Sequence, residues 1–365
     1  MGRKLRYAPE GGALFEITDR TLQGRPLFRP SRELNETVLG VLGRAQRLYE
    51  VSLCSFVMLS SHYHMLVRVK DARQLAGFMQ YFNGNLAKEI ARLTDWKDKI
   101  FARRFQAIQV SDEEAAQVER LRYHLAHGVK EDLVERVDQW PGVHCARALI
   151  EGEPLKGFWF NRSQEYAAKH RGETFGRYEY AEEETVVFDP LPCWSHLPVD
   201  EQRRRVAALV HEIEEEARIR REETGAKPLG VKEILAQEPT RRPKKLKKSP
   251  APFVHAATKA MRRALWEAYA WFVAAYRDAA EKLRAGDRDP PFPPGCFPPP
   301  LPFGGAEEQR TLRSTPGLCL PRETLRRGVS TRLISGWIAE VEVASWGLPI
   351  GRLDVSGSLE GRRRP

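Results

Sequence analysis

Apolar positions recur along the first 150 residues with two different periods. Residues 13–19, Ala-Leu-Phe-Glu-Ile-Thr-Asp, read as a strand. Residues 32–49 place Leu34, Val38, Leu42, Ala45 and Leu48 at three- and four-residue spacing, which predicts an amphipathic helix with those five side chains inward. Residues 51–59 and 63–69 read as strands, rich in aromatic and aliphatic residues. Residues 72–94 carry Leu75, Phe78, Met79, Phe82, Leu86 and Ile90 at helical spacing, and 105–110 form a further strand. A helix then starts after Ser111-Asp112, buries a stripe of Val118, Leu121 and Leu125, and stops at Gly128. The order β-α-β-β-α-β predicts an α+β fold, a ferredoxin-like antiparallel sheet with helices on one face. The Phe and Met residues at helical spacing are core rather than a base-stacking surface.

The pattern changes after residue 150. Val206, Leu209, Val210, Ile213 and Ala217 mark a helix from Asp200 to Thr224, closed by Gly225, and 229–235 suits a short helix. Next come Arg241, Arg242, Lys244, Lys245, Lys247 and Lys248, six cations in eight residues. A long aromatic helix runs to about Arg284 with Met261, Leu265, Tyr269, Phe272 and Tyr276. A proline-rich stretch from Pro290 to Pro302 should be extended, polyproline-like chain. Residues 320–365 show no clear pattern and are expected to be disordered or appended. The expected organisation is a domain over 1–150, a helical, basic C-terminal region over 151–286, and a Pro-rich segment with a poorly ordered tail over 287–365.

A length of 365 residues suggests two domains rather than one. A net charge of +10 favours nucleic acid or an anionic surface as partner. No run of 18 apolar residues predicts a membrane span. The opening Met1-Gly2-Arg3-Lys4-Leu5-Arg6-Tyr7 lacks the apolar region of a signal peptide, and the myristoylation pattern fails at Arg6. Cys54, Cys145, Cys193, Cys296 and Cys319 are scattered and never spaced as Cys-x2-Cys. That argues for reduced thiols in a cytoplasm rather than a disulfide framework or zinc knuckle. No Gly-x4-Gly-Lys-Ser/Thr phosphate loop occurs.

The candidate chemistry begins at His62-Tyr63-His64. On a strand, residues two apart share a face, so His62 and His64 project side by side and Tyr63 points the other way. That geometry suits two ligands of one divalent ion; two partly buried, hydrogen-bonded histidines would carry the same pattern. On the helix before Gly128, Tyr123 lies about 200° round from Leu121 and so off the apolar stripe. His127, four residues on, stacks on the same side as Tyr123. His124 lies round the helix from Tyr123 and is expected to be solvated or to act from behind the first ligands.

With these residues in place the chain resembles the single-tyrosine HUH transposases, above all the REP-associated tyrosine transposases and their longer bacterial relatives. His62-Tyr63-His64 matches the His-hydrophobic-His triplet. Phe15 to Arg20 looks like the opening strand, Phe56 to Val67 like the metal strand, and Leu75 to Gly84 like the following helix. Phe101-Ala102-Arg103-Arg104-Phe105 resembles the Phe-x-x-Arg-Phe element, and Arg122-Tyr123 through Trp140-Pro141 resembles the nucleophile helix and its exit. The resemblance covers roughly residues 5–150, with its motifs in order.

The resemblance implies metal-dependent cleavage and rejoining of single-stranded or hairpin DNA. Tyr123 matches the nucleophile that forms a 5′-phosphotyrosine and frees a 3′-hydroxyl. His62 and His64 match the ligands of Mg²⁺ or Mn²⁺. The family often has Gln or Asn four residues after the tyrosine; here His127 makes the site three-histidine, a set that Zn²⁺ or Ni²⁺ also suits. Arg103, Arg104, Arg241, Arg242, Lys244, Lys245, Lys247 and Lys248 are the expected phosphate contacts. A monomer or homodimer is expected, cytoplasmic and nucleoid-associated when bound to DNA. Two other classes remain open at this point. One is a domesticated protein that binds a DNA or RNA hairpin without cutting. The other is a two-metal nuclease built on carboxylates, whose cluster the 49 acidic residues would hide.

Overall fold

The computed structural model describes residues 5–244 and 252–299, and all of them belong to one compact unit. The first half follows the predicted order: β1 (Ala13–Arg20), α1 (Arg32–Tyr49), β2 (Ser52–Leu59), β3 (His62–Val69), α2 (Ala72–Thr94) and β4 (Gln106–Val110). The strands lie in the order β2-β3-β1-β4 and run antiparallel. The fold is therefore α+β, with a ferredoxin-like sheet at its centre. Local chemistry sets the helix starts. Ser31 accepts a bond from Leu34 N–H at 3.1 Å, and Asp71 accepts one from Gln74 N–H at 2.7 Å.

Strand parity divides the sheet into two buried faces. Phe15, Ile17, Tyr63, Met65 and Val67 pack with α1 and α2, as expected from the sequence. The other face, carrying Leu14, Val57, Leu59 and Leu66, is also covered. It meets α3 (Glu114–Leu125), α4 (His127–Lys130), α5 (Ala146–Glu151), and beyond them two helices of the extension, over Val199–Thr224 and Val231–Leu235. A bulge between Leu53 and Ser55 shifts the register of β2. The shift turns Ser55 toward the same face as His62 and His64.

The extension contains more than helices. β5 (Leu155–Phe160) and β6 (Ala181–Val186) form an antiparallel pair flanking α6 (Arg162–His170). The pair rests on α1 where Gly40 meets Gly157; a Cβ on Gly40 would stand 2.0 Å from the Phe158 carbonyl carbon. α7 (Val199–Thr224) ends at Gly225 in the left-handed region, φ +68°, as the sequence predicts. α8 (Val231–Leu235) follows. β7 (Val254–His255) then adds to the edge of β4 in parallel, and α9 (Lys259–Arg284) completes the described chain apart from residues 285–299.

Two expectations change. Leu48 is 37 % exposed rather than inward, because α1 is ending there. The helix expected to stop at Gly128 breaks earlier, at Ala126, and restarts as α4. Gly128 lies inside that second turn, packed under Val134 and Trp140. Lys245, Lys247, Lys248, the end of the proline-rich stretch and the tail from 320 lie outside the described residues. No described helix is long and apolar enough to cross a membrane.

Candidate metal and nucleophile site

The site forms at one end of the sheet, where the register pairs Thr18 with His64 and Arg20 with His62. β3 projects both histidines from the face covered by α3, while Tyr63 is fully buried on the opposite face. α3 brings Tyr123, and the break at Ala126 starts α4 with His127 turned inward. The donor atoms of His62, His64 and His127 lie within 4.8 Å of one another. The four expected residues therefore converge: ring centroids are 4.7 Å apart for Tyr123 and His127, and 5.4 Å for Tyr123 and His64.

Each histidine has its Nδ1 engaged elsewhere. His62 Nδ1 meets Ser61 Oγ at 3.1 Å, His64 Nδ1 meets Glu16 Oε1 at 3.1 Å, and His127 Nδ1 faces the Tyr123 carbonyl at 3.2 Å. These bonds leave three Nε2 atoms to share the space between the rings. His62 Nε2 and His127 Nε2 stand 3.2 Å apart. Imidazole nitrogens about 2.0–2.1 Å from one tetrahedral ion would stand roughly 3.4 Å apart, so the donor set fits a divalent ion. Burial, then the neighbouring His64, holds the pKa of both His62 and His127 well below the ordinary imidazole value. They are neutral, as ligands must be.

Glu16 is the residue that sequence reading missed. It is 3 % exposed, between the apolar Phe15 and Ile17 of β1, and it faces the histidines. Its Oε1 takes His64 Nδ1 and, at 3.4 Å, His124 Nε2. Its Oε2 meets Arg120 at 3.6 Å and lies in close contact with His255 Nε2. Burial alone would raise its pKa, but the bonds from His124, His255 and His64 outweigh it and hold the carboxyl well below the usual range. His124 is not solvated. It is fully buried, because it lies on the stripe between Leu121 and Leu125, and its Nδ1 meets Ser55 Oγ at 2.8 Å. Burial, opposed by Glu16, pulls its pKa down to about 4. It stands behind His64, as the second half of the sequence expectation had it. Glu16, His64 and His124 also form a second group close enough to share an ion, but Arg120 beside the carboxylate opposes a cation there.

Two cations flank the phenol of Tyr123. Lys130 Nζ lies 3.9 Å from the ring centroid and Arg120 Cζ 4.9 Å. Burial, then the charge of Glu16, raises the Tyr123 pKa. The phenol is therefore protonated at neutral pH in this state. Arg103 and Arg104 are exposed and precede β4, whose Gln106 pairs with Thr18 at the same end of the sheet. Arg241, Arg242 and Lys244 are exposed as well, and Arg241 lies near Pro26 and α8 rather than among the four site residues.

A three-histidine cluster thus sits at one end of a ferredoxin-like sheet, beside a tyrosine carried on a packed helix. Residues 26–122 match the family described as "Transposase IS200 like". Among solved structures, a transposase of Deinococcus radiodurans R1 shares 13 % identity at a TM-score of 0.25, over 33 % of this chain and 93 % of that one. A REP-associated tyrosine transposase solved bound to a REP hairpin shares 17 % identity at a TM-score of 0.31, over 39 % of this chain and 81 % of that one. No curated protein matches the chain.

Proposed function

We propose that this protein cleaves and rejoins single-stranded or hairpin DNA through a covalent intermediate on Tyr123. The observation that carries the reading is the convergence of His62, His64 and His127 beside the Tyr123 ring. Tyr123 Oη attacks the scissile phosphorus; the Oη–P bond forms and the P–O3′ bond breaks. The phenol loses its proton and the departing 3′ oxygen takes one up, so the step is balanced. The bond energy is kept in a 5′-phosphotyrosine, and a 3′-hydroxyl attacking in reverse rejoins the strand without a nucleotide.

A raised phenol pKa makes Tyr123 a poor nucleophile unaided. His62, His64 and His127 would hold the ion, Mg²⁺ or Mn²⁺ in this reading. Bound there, such an ion would supply Lewis acidity toward the phosphate and offset the charge that develops on it. Glu16 fixes the ring of His64, and Arg120 and Lys130 draw the phosphate toward the Tyr123 ring. Arg103, Arg104 and the run from Arg241 to Lys248 would contact the backbone on either side, positioning DNA without reading its bases. In this reading residues 1–150 carry the chemistry, the region to 286 supports them, and the segment beyond is an appendage.

The test is cleavage of a labelled hairpin oligonucleotide resolved under denaturing conditions. Wild type should yield a cut strand and a protein-linked strand with Mn²⁺, and neither after chelation. Tyr123→Phe should bind the hairpin and yield neither. Hairpin binding by the wild type with no cut strand under any divalent ion would instead identify a binding protein that does not cut.

A further inference from the structure

The extension reaches into the site through one side chain. β7 is only two residues long, yet it is held firmly. Its residues pair with Gln109 and Val110, and Ser111 N–H donates to the His255 carbonyl at 2.8 Å. Just beyond it, Glu113 accepts from Ala257 N–H at 2.8 Å and from Thr258 Oγ at 2.7 Å. Glu113 is the residue that precedes α3, so one carboxylate joins the start of α9 to the start of the tyrosine helix. Between these anchors His255 turns inward and meets Glu16 Oε2.

Glu16 is a buried carboxylate whose two oxygens have different tasks. Oε1 receives His64 and His124; Oε2 is left to His255 and the more distant Arg120. A buried carboxylate with an unfilled oxygen is costly, and it turns toward whatever partner or water it can reach. If Oε2 lost His255, the carboxylate would be drawn toward Arg120 and Oε1 would leave the line of the His64 Nδ1–H. The ring of His64 would then be free to rotate, and its Nε2 would no longer be fixed toward His62 and His127. Partners behind a ligand histidine commonly matter this much for the ion it holds.

We propose that His255, carried by the C-terminal extension, is a positioning residue for the three-histidine centre and acts through Glu16 on His64. The proposal rests on the metal-centre reading above. It makes residues 252–258 part of the site's scaffold, although they stand beyond the basic run and outside the 26–122 family segment.

The experiment is Co²⁺ titration of the full chain without DNA, followed by visible absorption, which reports both affinity and ligand field. His255→Ala should bind Co²⁺ about 10–100-fold more weakly, with an altered spectrum and an unchanged melting temperature. His255→Gln, which keeps a terminal N–H donor, should stay close to wild type. His255→Phe keeps the ring and loses the donor, so it gives the same comparison should alanine open the fold. His64→Ala is the control that removes a ligand. Wild-type affinity and spectrum in both His255→Ala and His255→Phe, with His64→Ala impaired, would overturn the proposal and leave the metal centre standing. A wild-type protein that takes up no Co²⁺ would overturn both.

Discussion

His62 Nε2 and His127 Nε2 face each other at 3.2 Å although 65 residues separate them in the chain. With its Nδ1–H donating to the Tyr123 carbonyl, His127 presents a lone pair at Nε2, and His62 does the same in the tautomer whose Nδ1–H donates to Ser61 Oγ. Facing lone pairs repel unless a cation lies between them. Burial disfavours a proton in that role, since it lowers both pKa values well below the ordinary one.

The first prediction follows from that repulsion. A divalent ion that binds only the folded chain should stabilise it by about 2.7 kcal/mol at a hundred times its Kd. Calorimetry with and without Mn²⁺ or Co²⁺ should show melting raised by roughly 5 °C or more. His62→Ala or His64→Ala should abolish the rise. His127→Gln, which restores a more usual ligand type for the family the chain resembles, should keep the response to Mn²⁺ and lose affinity for Zn²⁺. A rise that persists in all three variants would place the ion elsewhere.

Asp19 supplies a pH dependence unconnected with the ion. Burial pushes its carboxyl from 3.8 up to about 7, against bonds from the Arg20 N–H and the Asn83 amide. A raised carboxyl pKa means that the folded chain keeps a proton the unfolded chain has lost. Stability from this group is fully present below about pH 4 and is lost as pH rises through about 7. A difference of about three pKa units corresponds to a full swing on the order of 4 kcal/mol. Asp19→Asn should remove that part of the dependence. Urea unfolding of both proteins at about pH 5 and pH 8 measures it, and equal slopes in the two would show that Asp19 does not titrate in this window.

The basic run has a salt signature. If the cations from Arg241 to Lys248 follow single-stranded DNA, each contact should add roughly −0.7 to the log–log salt slope. Replacing Arg241, Arg242, Lys244, Lys245, Lys247 and Lys248 by Gln should flatten the slope by up to about four units, alike on a hairpin and an unrelated strand. Cleavage at saturating DNA and low salt should survive. An unchanged slope would make the run a solvated linker and move the DNA surface to Arg103, Arg104 and the first 150 residues.

Much of this site is legible in the sequence because it depends on short-range periodicity. The two-residue period of β3 puts His62 and His64 on one face, and the i, i+4 spacing joins Tyr123 to His127 despite the break at Ala126. Where reading along the chain stops is the sheet's second dimension. Glu16 is one of two acids in β1; its partners His64 and His124 stand 48 and 108 positions away, and His255 comes from a two-residue strand too short to carry a periodic signal. A buried strand position holding Glu between Phe15 and Ile17 was the available clue. His124 was legible too, since the third residue after Leu121 falls on the buried stripe. The cover over the second sheet face was not, because α7 shows an apolar stripe without showing what it packs against.

The central claim is that Tyr123 becomes covalently joined to DNA, and peptide mapping of the trapped adduct tests it most directly. The two other tyrosines near the metal strand are poorly placed. Tyr63 is fully buried with its hydroxyl donating to Asn83 at 2.7 Å, and Tyr81 is half-buried against Tyr49. Digestion of the denatured adduct, formed with a hairpin oligonucleotide and Mn²⁺, should give one nucleotide-bearing peptide, with the phosphate on Tyr123, and none from Tyr123→Phe. A nucleotide found on Tyr63, Tyr81 or any other side chain, or an adduct that persists in Tyr123→Phe, would contradict the account.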